Sequence, residues 1–301
     1  MRERIAMVVG EGEGGSRLDR FLRIRLPELP ARSIRFAIEA GEVLINGATG
    51  RKGEPLRCGD RISVLRIAEG RDWLPCPGEL PGAAVLFEDE WVSVLDKPPD
   101  VHTEPQRPRE TGTLAGFLLH RHPHVEQISP TPGLTLLTRL DFATSGAVPA
   151  ALTEQSFAFL TREREQGRIR KVYTCLVAGR LREPMVLSAR IDGGGGPRVR
   201  VESGSRDPDP SRWTTVTPVR AGENATLLRA SIRRGKRHQI RAHLAAAGFP
   251  ILGDRRYSAV PPAGPGTARL MLHASESEFP HPRTGKPIRV ESPLPPEFRA
   301  I

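Results

Sequence analysis

Apolar positions along the chain change their spacing near residue 67. Leu18, Phe21 and Leu22 recur at i, i+3 and i+4, the spacing of one helix face, and Leu26-Pro27 ends the run because proline cannot continue a helix. Ile34, Ala37 and Ile38 repeat the spacing in a second helix, with Arg32 and Arg35 on the outer face and Gly41 as its stop. Ser16 and Ser33 are the expected N-caps. Val43 and Ile45 then alternate with polar neighbours up to Asn46-Gly47, a two-residue hairpin turn, and Gly59-Asp60 leads into a last strand through Ile62 and Val64. Residues 1–67, with a core over 16–67, thus predict a small α/β domain with a basic flank.

Residues 68–82 turn to Gly, Pro and charge, including Pro75, Pro77 and Pro81, and read as a linker. Strand spacing dominates from 83 to 301. Val85-Leu86-Phe87 and Val92-Ser93-Val94-Leu95 form a hairpin, Thr113 to Leu119 and Gln155 to Gly167 form helices, and Ile169 to Val177, Leu227 to Ile232 and Leu270 to Ala274 form strands. The expected fold class is α+β: a mixed, largely antiparallel sheet with flanking helices around a basic cleft, preceded by the small domain.

The formal net charge of +10 is carried mostly by Arg, since only Lys52, Lys97, Lys171, Lys236 and Lys286 are lysines. Arg holds phosphate bidentately and stacks on bases, so this excess favours a polyanionic partner, although a GC-rich genome also enriches Arg. Cys58, Cys76 and Cys175 are odd in number and widely separated, which gives no disulfide framework and no metal-binding pair. His120, His122 and His124 flank Pro123 with no acid or thiol at ligand spacing, so no metal is expected. The glycine-rich stretch from Asp192 to Asp209 matches neither phosphate-loop pattern and reads as a flexible excursion; no cofactor is expected. Without an apolar run of about 18 residues, the chain is expected to be a cytoplasmic monomer with no membrane segment.

Two stretches carry candidate chemistry. From Thr138 to Gly146 a single carboxylate, Asp141, follows an apolar run; a strand end, a Thr-Ser-Gly turn and a second core segment would place it at a rim. An Asp in such a place caps a turn as readily as it reacts. From Arg233 onward, five of nine residues are basic at a helix start, where backbone N–H groups attract anions, and Ile240 and Leu244 anchor the run to the core.

The R-L-D-x-x-T-S-G of Arg139 to Gly146 resembles the signature of RluA-type pseudouridine synthases. Similarity continues in order through Lys97-Pro98, K-V-Y-T-C-L-V around Tyr173, K-R-H-Q-I-R-A-H-L over 236–244, G-F-P-I-L-G-D over 248–254 and R-L-M-L-H-A over 269–274. Within the first domain, R-L-D-R-F-L, S-I-R-F-A-I-E-A-G-x-V-x-I-N-G and G-D-x-I are similar to the RNA-binding domain named after ribosomal protein S-four. The resemblance implies isomerisation of RNA uridines, with large-subunit ribosomal RNA the expected substrate and transfer RNA behind it. It also implies residue roles: Asp141 as the catalytic carboxylate, Arg241 pairing with and orienting it, and Tyr173 stacking on uracil and assisting proton removal from carbon 5. Arg139 would fill the gap left by the displaced base, Leu272 would wall the pocket, Lys171 would support an ion pair and Lys97 would lie near the substrate. Lys236, Arg237, His238, Arg32 and Arg35 would contact RNA.

Thr138 stands where the family usually has His, and Arg234 and Lys236 replace its usual Thr and Arg. These departures favour an alternative, a weak or inactive RNA-binding or ribosome-assembly factor on the same scaffold. A carboxylate-nucleophile hydrolase would need a second acid two residues after Asp141, where Ala143 stands.

Overall fold

The structure, a computed structural model, describes residues 1–193, 196–258 and 269–299, so Gly194 and Gly195 of the four-glycine run fall outside the described residues. Two compact units emerge: Met1–Cys76 with Pro105–Thr111, and Pro77–Glu104 with Gly112–Ile301.

In the first unit, β1 (Arg2–Val8), α1 (Leu18–Arg25), α2 (Ala31–Glu39), β2 (Val43–Ile45), β3 (Ala48–Thr49) and β4 (Arg61–Ile67) build a sheet ordered β1-β4-β2-β3 under two helices. Leu18, Phe21 and Leu22 of α1 and Ile34, Ala37 and Ile38 of α2 are buried against Val43, Ile62 and Val64, as their spacing requires. Asn46 and Gly47 take φ of 51° and 86°, the left-handed pair that a two-residue hairpin turn demands.

Both expected caps are corrected. The residue before α1 is Arg17, without a side-chain cap, and the Ser16 hydroxyl donates instead to the Glu13 carbonyl at 2.6 Å. Pro30, with φ fixed at −58°, starts α2 three residues early and leaves Ser33 inside the helix, where its hydroxyl accepts from Trp73 Nε1 at 2.8 Å. Trp73, from the stretch read as linker, is buried in this unit and carries the Arg32 guanidinium 4.5 Å over its ring. Strand β1 lies ahead of the expected core and pairs with β4 along its length.

The second unit contains β5 (Ala84–Glu88), β6 (Val92–Lys97), α3 (Leu114–Arg121), α4 (Val125–Ile128), β7 (Ser145–Ala151), α5 (Glu154–Glu165), β8 (Arg170–Ala178), β9 (Met185–Leu187), β10 (Ile191–Asp192), β11 (Arg200–Val201), β12 (Thr214–Ala221), β13 (Ala225–Ile232), α6 (Gln239–Ala246), β14 (Leu272–Pro280) and β15 (Pro287–Glu291). The main sheet runs β5-β6-β7-β14-β8-β13-β12-β9, with β15 also on β14. Among the described residues only β7 and β14 pair in parallel in it, so the fold is the expected α+β with a largely antiparallel sheet. Strand β8 lies between β14 and β13 and is buried from Val172 to Leu176 and on to Val177, which is why its sequence reads as a near-continuous apolar run.

The turn at the signature is displaced from expectation. Thr144 N donates to the Asp141 carbonyl at 3.0 Å, so the turn is Asp-Phe-Ala-Thr, and Ser145-Gly146 already belongs to β7. Gly146 has φ of 117°, and a Cβ there would lie 2.3 Å from the Ala274 carbonyl on β14. Only glycine permits the parallel pairing at this point. The end of β13 and the start of β14 thereby flank Tyr173 on the two sides of β8, with the start of β7 next beyond β14. No helix among the described residues is long and apolar enough to cross a membrane.

Candidate active site

Where these strand ends converge, a cleft of about 380 Å³, open to solvent, is lined by Arg139, Leu140, Asp141, Thr144, Tyr173, Ile232, Lys236, His238, Gln239, Ile240, Arg241 and Leu272. Asp141 is held at its rim by the Asp141–Thr144 turn. Arg241, in the first turn of α6, gives Nη1 to Asp141 Oδ2 at 2.5 Å and closes a separation of 100 residues. The other side of the guanidinium forks onto Asp254, Nε to Oδ2 at 2.7 Å and Nη2 to Oδ1 at 2.8 Å. Asp254 Oδ1 also accepts from the backbone N–H groups of Arg256 and Tyr257 at 2.9 and 3.2 Å. Side-chain exposure falls along this chain from 27% at Asp141 to 9% at Arg241 and 0% at Asp254. The buried end is fully hydrogen-bonded, which a desolvated ion pair requires, and the exposed end is the oxygen pair that faces the cleft.

His238 opens α6 with φ of 55°, a left-handed conformation that a non-glycine residue adopts only under tertiary constraint. Its Nδ1 meets the Tyr257 hydroxyl at 3.0 Å and its Nε2 lies 3.9 Å from Asp141 Oδ1. Burial, with the charges of Arg241, Arg256 and Arg237, pushes its imidazole below the ordinary value against the pull of Asp141. Tyr173 projects from β8 into the cleft beside Leu272, on the neighbouring strand. Burial, reinforced by the Asp141 charge, raises its phenol well above the usual value, so it stays protonated at neutral pH.

The structure thus gathers Asp141, Tyr173, Arg241, Arg139, Lys236, His238 and Leu272 around one cleft. Arg139 lies at its mouth, paired with Glu104 at 2.6 Å. Lys236 Nζ is held by Asp207 and the Ile191 carbonyl, both at 3.1 Å, and Arg234 by Asp209 at 2.8 Å. Lys236 and Arg234, two of the three departures from the family pattern, are therefore met by carboxylates of the 192–209 excursion.

Other candidates lie outside the lining. Arg237 is exposed and donates to the Gly196 carbonyl at 2.6 Å, while Arg32 and Arg35 belong to the first unit, Arg35 on its surface. Lys171 shares the Tyr173 face of β8, but no carboxylate pairs with it among the described residues, so the expected ion pair is corrected; burial and the Arg164 charge lower its ammonium to about 8. The three histidines go separate ways, to Glu79, Glu88 and the Leu152 carbonyl.

Three contributors were not read as site residues in the sequence. Asp254 was visible only as the end of a G-x-P-I-x-G-D turn. Thr144 lines the cleft with a buried hydroxyl that has no hydrogen-bond partner among the described residues. Tyr257, which positions His238, gave no signal.

A family model described as RNA pseudouridylate synthase matches residues 92–246, the stretch from β6 to the last turn of α6 that holds Asp141, Tyr173 and Arg241. Ribosomal large subunit pseudouridine synthase D of Xanthomonas campestris is 31% identical over 308 residues, covering 98% of this chain and 90% of that protein. The chain belongs to the RNA pseudouridylate synthase family. This synthase is also 31% identical over 307 residues to ribosomal large subunit pseudouridine synthase C of Salmonella typhimurium, covering 96% of this chain and 92% of the relative. Among solved structures, human RNA pseudouridylate synthase domain containing 1 superposes with a TM-score of 0.57 at 24% identity, over 72% of this chain and 85% of the human one, which is agreement of fold. The synthase is accordingly an isomerase, as the sequence reading expected.

Proposed function

We propose that the synthase converts a specific uridine of large-subunit ribosomal RNA to pseudouridine, with Asp141 as the reacting carboxylate. What carries this reading is the Asp141–Arg241–Asp254 chain, which orients one anion in a cleft that Tyr173 and Leu272 also line. The reaction breaks the bond from N1 of uracil to C1′ of the ribose, turns the base and joins C5 to C1′. C5 gives up a proton and N1 ends with one, so nothing is oxidised, hydrolysed or added, and the chemistry calls for no cofactor. Asp141 starts it at the sugar, as nucleophile on C1′ or as base at C2′; both routes use the same carboxylate. Arg241 keeps that carboxylate aligned. Tyr173, remaining protonated, acts through its ring, against which the detached uracil turns.

The target has to leave its stack first, at a cost of a few kcal/mol. Arg139 at the cleft mouth is placed to fill the gap, and Lys236 and His238 line the path of the strand. The first unit is read as an RNA-binding domain of the S-four type, with Arg35 and Arg32 on the helix facing RNA. Support for the substrate comes from the relatives named for the large subunit. Pseudouridine mapping of ribosomal and transfer RNA from cells with and without the protein tests it, together with purified Asp141→Ala. The expected result is one or a few large-subunit sites lost, and a variant that binds RNA without isomerising it. Sites lost only in transfer RNA would move the substrate; a fully active Asp141→Ala would remove the mechanism, and no site lost in either RNA, with a wild type that binds RNA without isomerising it, would leave the non-catalytic RNA-binding reading for this scaffold.

A further inference from the structure

The residue directly after Asp141 is Phe142, 48% exposed. Single exposed apolar side chains are ordinary on protein surfaces. This one differs in being held. Phe142 is the first corner of the Asp141–Thr144 turn, and its carbonyl accepts from Val101 N at 3.2 Å and Lys97 Nζ at 3.1 Å. The Lys97 ammonium is itself buried and anchored on the Pro98 and Val101 carbonyls at 2.8 and 2.7 Å. His102 stands against the Phe142 ring with centroids 4.7 Å apart and planes at 56°. Withdrawing the ring into the core would break this turn, so the fold leaves an aromatic surface exposed on the turn that carries the carboxylate.

Among the described residues, the other exposed large apolar side chains of the second unit are Val186 on β9 and Val219 on β12, at the opposite edge of the sheet. Phe142 therefore belongs to no apolar patch of the size a protein partner would cover. The ring has an imidazole against it and follows the reacting carboxylate directly in the chain, surroundings that suit a nucleotide.

We propose that Phe142 is a stacking platform for the base of the nucleotide adjoining the target uridine. The inference rests on the reading of Asp141 as the carboxylate that meets the target sugar: with that sugar at Asp141, a neighbouring nucleotide crosses the rim next to it, where the ring stands. Extruding the uridine removes a stacking partner from each neighbour, and the ring restores one, offsetting part of the cost of displacement. Base–aromatic stacking is worth about 1–3 kcal/mol and tolerates any base, because every base has a π face.

The test is a cycle between protein and RNA. The substrate is a large-subunit ribosomal RNA fragment spanning the uridine found by mapping, made intact or with an abasic residue at its 5′ or its 3′ neighbour. For the wild type, one of the two abasic fragments should lower kcat/KM by about 5- to 150-fold, the range that 1–3 kcal/mol of stacking gives. Phe142→Leu should lose a similar factor on the intact fragment and nothing further on that abasic one, whereas Phe142→Trp should keep the wild-type rate. Phe142→Leu equal to wild type, or losses that simply multiply when combined, would overturn the platform while leaving the isomerase standing. A wild type that turns over no uridine in any fragment would overturn both.

Discussion

Replacing Asp254 by Asn tests whether a residue that never reaches the cleft controls the one that does. In the wild type, Arg241 spends two N–H groups on Asp254, at 2.7 and 2.8 Å, and one on Asp141 at 2.5 Å. Asparagine keeps one oxygen and turns the other into a donor. That donor must face the guanidinium in either orientation, and in one of them the N–H groups of Arg256 and Tyr257 as well, at a side chain with 0% exposure. Removing one partner of a buried ion pair costs about 3–5 kcal/mol. At about 2–4 °C per kcal/mol for a domain of this size, Tm should drop by about 6–20 °C. Held then mainly by Asp141, the guanidinium no longer fixes the carboxylate, and a displacement of about 1 Å at a reacting group costs about 100-fold in rate.

Calorimetry and single-turnover kinetics on the ribosomal RNA fragment read both effects. The loss should fall on kcat with KM nearly unchanged, since Asp254 does not line the cleft. Acid titration adds a second check. Burial by itself would raise the Asp254 carboxyl, but the hydrogen bonds and charge of Arg241 outweigh it and hold the group below its ordinary value. A carboxyl depressed in the folded state stabilises it above the unfolded value of about 3.9 and loses that contribution as pH falls through the folded value. The Tm gap between wild type and variant should thus be full at neutral pH and close under acid conditions. A variant with wild-type Tm and kcat, or a gap that widens as pH falls, refutes the reasoning.

Three further outcomes follow from the geometry. Tyr173→Phe should keep kcat within about tenfold, because the phenol stays protonated and only its ring is used; a loss of about 10²–10⁴-fold, the range of general acid–base catalysis, would restore the proton-transfer role. Burial lowers the Lys97 ammonium to about 7, despite Asp100 and Asp141, while the unfolded value is about 10.4, so the unfolded chain binds more protons between these limits. Lys97 should therefore make stability rise with pH across that window by up to about 1.4 kcal/mol per unit; in Lys97→Met the slope should shrink by that contribution, and an unchanged slope in Tm against pH would exclude the assignment. Gly146→Ala should yield little folded protein, as its Cβ would meet the Ala274 carbonyl at 2.3 Å with φ at 117°; a soluble variant with wild-type Tm would show that the strands can move apart.

Much of the architecture was legible because it depends on neighbours in sequence. The 3.6-residue spacing of Leu18, Phe21 and Leu22, the left-handed pair at Asn46-Gly47 and the strand pattern from Ile169 to Val177 each encode a local geometry and a buried face. The caps misled because a hydroxyl has several possible partners, and which one it takes depends on groups far along the chain: Trp73 took the hydroxyl of Ser33 from a position 40 residues away. Lys171 misled for a related reason, since charge pairing across a sheet depends on what stands opposite.

By itself the sequence determined which short segments become helix, strand or turn, and it marked Asp141, Tyr173 and Arg241 by their resemblance to a family. Only the tertiary structure decided that Arg241 reaches across 100 residues to Asp141, that Asp254 holds its other side, and that Asp207 and Asp209 hold the unusual cations Lys236 and Arg234. The physical reason is range. Backbone preference and hydrophobic period act over a few residues, whereas an ion pair exists only once sheet register and strand order have brought its partners within about 3 Å in a site dry enough for charge to matter.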